Sequence, residues 1–304
     1  MILFTKVRTY GVAGGSRLYN TATMVFLLPT QSPVEPGAKL VKVASDLAFA
    51  EGPACAKNGD VYFTDQPNDR ILRWDGKAVT TWKTPAGRSN GMAFDAKGNM
   101  IACADGANEL WSIAPDGTTT VLFKDYGGHL LNGPNDVWIR RDGAMFVTDP
   151  LYARDYWTRD KAIQQPGQYV YFIPPDRKTM RPVASDLKQP NGIVGTPDGG
   201  TLYISDIGAG KTYRYRVAKG GTLEDKSLFC DLGSDGMSLD DAGNVYLTGY
   251  GVTIFDHKGA KIEHIDVPEA WTGNVTFGGK DRRTLFITAS RGAYTLKMRT
   301  RGMD

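Results

Sequence analysis

GDVYFTD (59–65), GNMIACAD (98–105), GAMFVTD (143–149), GTLYISD (200–206), GNVYLTG (243–249) and RTLFITA (283–289) are six versions of one phrase. Each turns, runs through four or five residues rich in Val, Ile, Tyr, Phe and Thr, and stops on an acidic or small residue. The composition and alternation are those of a short β-strand. Successive stops, at Asp65, Asp105, Asp149, Asp206, Gly249 and Ala289, lie 40, 44, 57, 43 and 40 residues apart. A second strand-like piece follows each phrase (RILRWDG, ELWSIAPDG, QYVYFIPPD, KTYRYRV, GVTIFDHKG, GAYTLKM), and another precedes most of them (GMAFDAKG, DVWIRRDG, GIVGTPDG, GMSLDDAG). Asp-Gly pairs at 75–76, 116–117, 142–143 and 198–199 mark the turns between them. No long helical period intervenes.

Several short strands recurring every 40 to 45 residues are the signature of propeller blades. The expectation is an all-β, six-bladed β-propeller over residues 39–304. KLVKVA (39–44) precedes the first full repeat and the sixth repeat ends early, so the N-terminal strand is expected to complete the last blade and cover its edge. The long third interval predicts an inserted loop, LYARDYWTRDKAIQQPG (151–167).

Bulk properties narrow the partners. Of 304 residues, 41% are hydrophobic and 23% charged, and 36 basic residues against 33 acidic give a net charge of +3. That is ordinary globular composition. With no run of Lys or Arg, it argues for neither nucleic acid nor an anionic membrane as a partner. No apolar stretch approaches the roughly 18 residues of a membrane helix. Cys55, Cys103 and Cys230 are too few and too far apart for a disulfide framework or a zinc motif and read as buried small hydrophobes. Residues 1–38 read as a poorly ordered tail or leader. Their acid-free stretch before Glu35 also fits a weak targeting segment toward periplasm or organelle, or sequence upstream of a start at Met24. The protein itself is expected to be cytoplasmic.

The repeat aligns a second set of positions. Fourteen or fifteen residues ahead of each stop stand Glu51, Asn90, Asn135, Asn191, Asp235 and Asn274. Taken singly, an Asn or Asp at a strand mouth is a turn former, and each of these reads that way alone. Glu51 is not a turn residue, and six side-chain oxygens at one repeat position have a second reading. Pseudo-symmetry would bring them round the propeller axis as a hard, oxygen-only cage with two carboxylates. Such a cage suits one divalent cation, Ca²⁺ first, with Mg²⁺, Mn²⁺ or Zn²⁺ as alternatives. A cation at a channel mouth polarises carbonyls and acidifies water, and a neighbouring carboxylate takes the proton.

EGPA (51–54), LNGPNDV (131–137), FVTDPLY (146–152), QPNGI (189–193) and SDGMSLDDAGNVYL (234–247) resemble the gluconolactonase, regucalcin (senescence marker protein) and luciferin-regenerating enzyme family, in family order across about residues 45–298. The resemblance implies a propeller with one divalent metal at the tunnel mouth and lactone-hydrolase activity. It implies Glu51, Asn135, Asn191 and Asp235 as metal ligands and Asp235 as general base. Where animal members carry a sugar-binding Arg two residues before the Asn of ND, this chain has Gly133.

The substrate expected is a small lactone, such as gluconolactone, or an ester. The alternatives are an esterase or phosphotriesterase on the same site and a non-catalytic calcium- or ligand-binding propeller. Candidate substrate contacts are Asn132, Asn90, Asn274, His129, Tyr152 and Trp157. His129 reads either as a proton relay near the mouth or as a loop histidine. Tyr152 and Trp157 read either as a roof over the pocket or as packing for the inserted loop.

Overall fold

The computed structural model describes residues 31–303. Six antiparallel sheets of four strands follow one another along the chain. Their innermost strands are Ala50–Cys55, Ser89–Phe94, Val137–Ile139, Pro190–Gly195, Met237–Leu239 and Thr272–Gly278. Each touches the next round the circle, and the sixth touches the first. This is a six-bladed β-propeller.

The repeated phrase forms the second strand of every blade: Val61–Asp65, Met100–Ala104, Met145–Asp149, Thr201–Asp206, Val245–Gly249 and Thr284–Ala289. It is almost wholly buried because neighbouring sheets pack against both of its faces. The core is accordingly a set of apolar layers, one between each pair of blades. Phe63 and Phe286 meet between the first and sixth, with ring centroids 5.2 Å apart. Tyr246 and Phe277 meet edge-on at 5.2 Å between the fifth and sixth. Such aromatic pairs add to the stabilisation from buried area alone.

Val41–Ala44 pairs antiparallel with Gly292–Lys297, aligning Val41 with Thr295, and closes the sixth blade. The packed body begins before this strand. Val34 bridges Met298, the Glu35 amide donates to the Lys297 carbonyl at 3.1 Å, and Ser32 Oγ donates to Glu263 at 2.6 Å. The expected tail thus contributes residues 32–38 to the propeller, since an unpaired sheet edge recruits neighbouring backbone. The part of that expectation covering residues 1–30 lies outside the described residues.

Aspartates at the ends of the second strands fasten the incoming chain. Asp65 accepts from the Ala48 and Phe49 amides, Asp149 from those of Asn132 and Gly133, and Asp206 from those of Lys188 and Gln189. The repeat's acidic stop is therefore a clamp on the loop leading into the innermost strand. Cys55, Cys103 and Cys230 form no disulfide, and the last two are buried.

Candidate active site

The six positions picked out by the repeat stand at the mouths of the six innermost strands, all on the face where the clamping aspartates lie. Four blades break register there, between Glu51 and Ala54, Ser89 and Met92, Pro190 and Ile193, and Thr272 and Asn274. A bulge re-aims the side chain it carries. Hydroxyls one residue before the stops hold these bends and clip one blade to the next. Thr64 Oγ1 donates to the Asn90 carbonyl at 3.3 Å, Thr248 Oγ1 to the Gly273 carbonyl at 2.7 Å, and Ser205 Oγ accepts from the Ser234 amide at 2.6 Å.

Close packing around the axis dictates the residue after each ring position. It is Gly52, Gly91, Gly192 and Gly236 in four blades. A Cβ on Gly236 would lie 1.9 Å from Asn274 Cγ, and one on Gly192 would lie 2.6 Å from the Asp235 carbonyl oxygen. The exceptions are Asp136 and Val275. The Asp136 carboxyl bonds across to Asn274, and its burial, with the charge of Asp235 adding, pushes it up to about 7 against the pull of the Val137 and Ile193 amides.

Five of the six ring residues are buried, and Asp235 is partly exposed. Asp235 is the hub. Its Oδ1 accepts from Asn191 Nδ2 at 2.8 Å and its Oδ2 from Trp271 Nε1 at 2.6 Å. Its carboxyl also bonds that of Glu51. Burial raises both acids, Glu51 well above the carboxylate range, and the charge of Asp235 raises Glu51 further. Two carboxyls in such contact share a proton or need a cation between them.

A hard cation suits this donor set. Asn191 turns its amide nitrogen to Tyr152 Oη (2.8 Å) and Asp235, leaving its Oδ1 buried without a hydrogen-bond partner. An orphaned buried carbonyl beside paired carboxylates fits the oxygen ligands that Ca²⁺ takes. Among the described residues no three His, Cys, Asp or Glu side chains converge as a metal cluster. A cation here would depend on amide oxygens as well as Glu51 and Asp235. The structure brings Glu51, Asn191 and Asp235 into one connected group. Asn135 and Asn90 occupy the equivalent mouths of their own blades, and Asn274 spends its Oδ1 on the Val275 amide at 2.7 Å.

Three of the residues expected to touch substrate are employed otherwise. Asn132 is fully buried. Its Nδ2 donates to the Asp149 and Gly167 carbonyls, and its Oδ1 accepts from the Gln164 and Gln165 amides at 2.9 Å each. It staples the inserted loop and has no donor or acceptor left for a ligand. Trp157 is buried too, donating to Asp105 Oδ2 at 3.2 Å under the Arg159 guanidinium. His129 lies exposed in the hairpin Asp125–Tyr126/His129–Leu130, held through its backbone carbonyl by Gln165 Nε2. Tyr152 alone of the loop's expected contacts reaches a ring residue.

Sequence reasoning missed Trp271, Asp136, Asp105 and Arg154. Asp105 differs from the other clamps. It accepts from Gln66 Nε2 at 3.0 Å, from Trp157 and from Arg159, so it locks the inserted loop, and burial raises it to about 6 against both nearby arginines. Trp271 packs edge-on against Tyr250, ring centroids 5.2 Å apart, and Tyr250 stands 82% exposed at the rim. Below the ring, a cavity of about 830 Å³ fills the other half of the channel and meets the site only at Asp136 and Asn274. Neither Glu51 nor Asp235 lines it.

The family model described as the SMP-30/Gluconolactonase/LRE-like region matches residues 49–291. The chain belongs to this family. Among its relatives, a gluconolactonase of Zymomonas mobilis is 27% identical over 307 residues, covering 91% of this chain and 84% of that protein. A diisopropyl-fluorophosphatase of Loligo vulgaris is 26% identical over 281 residues, covering 81% and 87%. A gluconolactonase structure from Xanthomonas campestris superposes with a TM-score of 0.81 at 28% identity, covering 88% of this chain and 91% of that one. A calcium-binding regucalcin from Agrobacterium tumefaciens shares the fold, with a TM-score of 0.72 at 18% identity over 87% and 95%. Family membership accounts for the propeller.

Proposed function

We infer that this SMP-30/gluconolactonase-family propeller is a lactonase that opens a small lactone at the mouth bearing Glu51 and Asp235. One observation carries the reading: the Glu51–Asp235 carboxyl pair beside the orphaned Asn191 Oδ1, in a chain similar to gluconolactonases. Glu51, Asn135, Asn191 and Asp235 would hold one divalent cation, Ca²⁺ by donor type. When bound, it supplies Lewis acidity toward the lactone carbonyl and a lowered pKa for water. Asp235 takes the proton from the attacking water. Burial raises the Asp235 carboxyl, and the bonds from Trp271 and Asn191 orient its two oxygens and pull back toward the charged form that a base needs. Tyr152 Oη stands beside Asn191, within reach of a substrate oxygen. The inserted loop, locked by Asp105 and Asn132, limits water and sets the size of what enters.

A panel of sugar, acyl and aromatic lactones, assayed with and without EDTA, tests this. Turnover lost with the chelator and restored by Ca²⁺ is expected. No turnover of any lactone by cation-loaded protein would overturn it and leave a binding propeller. The likeness to the Loligo fluorophosphatase favours a second reading, in which Asp235 attacks an ester directly as nucleophile. Single turnover in ¹⁸O-labelled water separates the routes. Label in the Asp235 carboxylate marks the nucleophile, and label in product alone marks the base.

A further inference from the structure

Arg154 and Arg159 of the inserted loop face Asp105, and Arg88 packs on the loop at Tyr156; the three are not equivalent. Arg159 Nη2 donates to the Asn132 carbonyl at 2.8 Å and to Asp105 Oδ1 at 3.4 Å, and its guanidinium covers Trp157. Arg88, reaching in from the second blade, donates to the Pro67 carbonyl at 2.5 Å and stacks on Tyr156 with 4.4 Å to the ring centroid. Both are committed to holding the loop.

Arg154 is not. Its Nε is buried without a hydrogen-bond partner, and its nearest counter-charge is Asp105 Oδ2 at 3.9 Å, beyond hydrogen-bond reach. Asp105 Oδ2 is already taken by Gln66 and Trp157. A buried N–H without a partner is costly, and no hydrogen bond within the loop reaches this one. The guanidinium stacks on Tyr152, 5.2 Å from the ring centroid, and the hydroxyl of that same tyrosine touches Asn191. Arg154 thus stands beside the carboxyl–amide ring rather than in it, and its charge is felt by Glu51 and Asp235. The side chain keeps 27% of its surface exposed, so a solute can reach it.

We propose that Arg154 is a specificity-determining subsite for an oxyanion group carried by the substrate at the end remote from its lactone carbonyl: a carboxylate, sulfonate or phosphate. The planar fork of Arg matches two oxygens of such a group at once, and each bond to it is charge-assisted. Tyr152, stacked beneath, fixes the fork's plane. The ring binds the reacting end, and Arg154 measures the far end. This inference rests on the lactonase reading for its reaction and on binding alone for its test.

Equilibrium binding of D-gluconate, D-glucarate and 6-phosphogluconate to the full chain in the presence of Ca²⁺, measured by calorimetry, separates the two. Glucarate adds a far-end carboxylate to gluconate, and 6-phosphogluconate adds a phosphate. The wild-type protein should bind glucarate or 6-phosphogluconate about 10- to 100-fold more tightly than gluconate. Arg154→Met should remove most of that ratio, and Arg154→Lys, which keeps the charge without the fork, should restore part of it. The melting temperature of each variant reports whether the loop and ring remain folded. No preference for glucarate or 6-phosphogluconate in the wild-type protein, or a preference unchanged in folded Arg154→Met, overturns the proposal whether or not any lactone is hydrolysed. Comparing glucaro-1,4-lactone with glucono-1,5-lactone then tests the reaction. Failure of both lactones with the binding preference intact would sink the lactonase reading and spare the subsite.

Discussion

Gly192→Ala puts the packing of the ring to a quantitative test. The backbone of Gly192 is not left-handed, so alanine fits its conformation. At such a site Gly→Ala ordinarily stabilises a protein by about 0.4–1 kcal/mol, by restricting the unfolded chain. Here the added Cβ would meet the Asp235 carbonyl oxygen at 2.6 Å, Met237 Cγ at 2.8 Å and the Gly236 carbonyl carbon at 3.2 Å. The Met237 side chain can swing aside, but the backbone of Asp235 cannot move independently of its side chain. Restoring ordinary contact needs a retreat of about 0.8 Å by that oxygen, an overpacking that costs roughly 1–3 kcal/mol. The sign of the stability change therefore inverts. A melting temperature lower by about 2–10 °C is expected. Asp235 would move with its backbone, and a displacement near 1 Å at a reacting group costs on the order of 10²-fold in rate. Scanning fluorimetry gives the first quantity and kcat/KM on a lactone substrate the second. Gly200→Ala is the control, because its Cβ meets nothing closer than Asp198 Oδ1 at 3.5 Å. Wild-type stability and turnover in Gly192→Ala would refute the claim that blade contact fixes the ring.

Asp235→Asn and Asn191→Ala should differ in rescue. Excess Ca²⁺ restores part of the activity of the second, which loses only a neutral oxygen, and none of the first, which loses the base; equal rescue would reduce Asp235 to a ligand. Trp271→Phe removes the 2.6 Å bond that favours charged Asp235, so the acid limb of the pH–rate profile should move to higher pH, and an unmoved limb would mean that the indole only packs. Burial raises both Glu51 and Asp235, so in cation-free protein the pair stabilises the fold at low pH and ceases to as pH rises through its folded-state pKa values. The cation replaces that proton, so the gain in melting temperature with Ca²⁺ should be larger at about pH 8 than at about pH 5; a gain independent of pH would show that binding displaces no proton.

The propeller was legible because one phrase repeats six times and each copy must bury both faces. The ring was legible because the offset from each stop locates the strand mouth. Within the ring, the sequence could not say which atoms keep a lone pair. Asn132 and Asn135 both looked like site residues in LNGPND. Asn132 is consumed by Gly167, Gln164 and Gln165, which the inserted loop brings back from more than thirty residues away. His129 resembled a relay only by proximity in sequence. Trp271 reaches Asp235 across a blade boundary, and no local pattern marks it. Asp136 could have been found, since the residue after each ring position is Gly in four blades and an acid there is anomalous. Arg154 sat in a loop whose length was readable and whose path was not.

The closing strand has a consequence for when the molecule becomes active. Glu51 lies on the first blade to emerge during synthesis, whereas Asp235 and Trp271 belong to the fifth and to the approach to the sixth. Their meeting requires residues 41–44 to find residues 292–297 and shut the circle. A chain stopped after four blades lacks Asp235, and one stopped after five has Asp235 but lacks Trp271 and the sixth blade that joins the two flanks. If Glu51 and Asp235 carry the proposed reaction, competence waits for the last strands, and turnover would report that the two ends have joined.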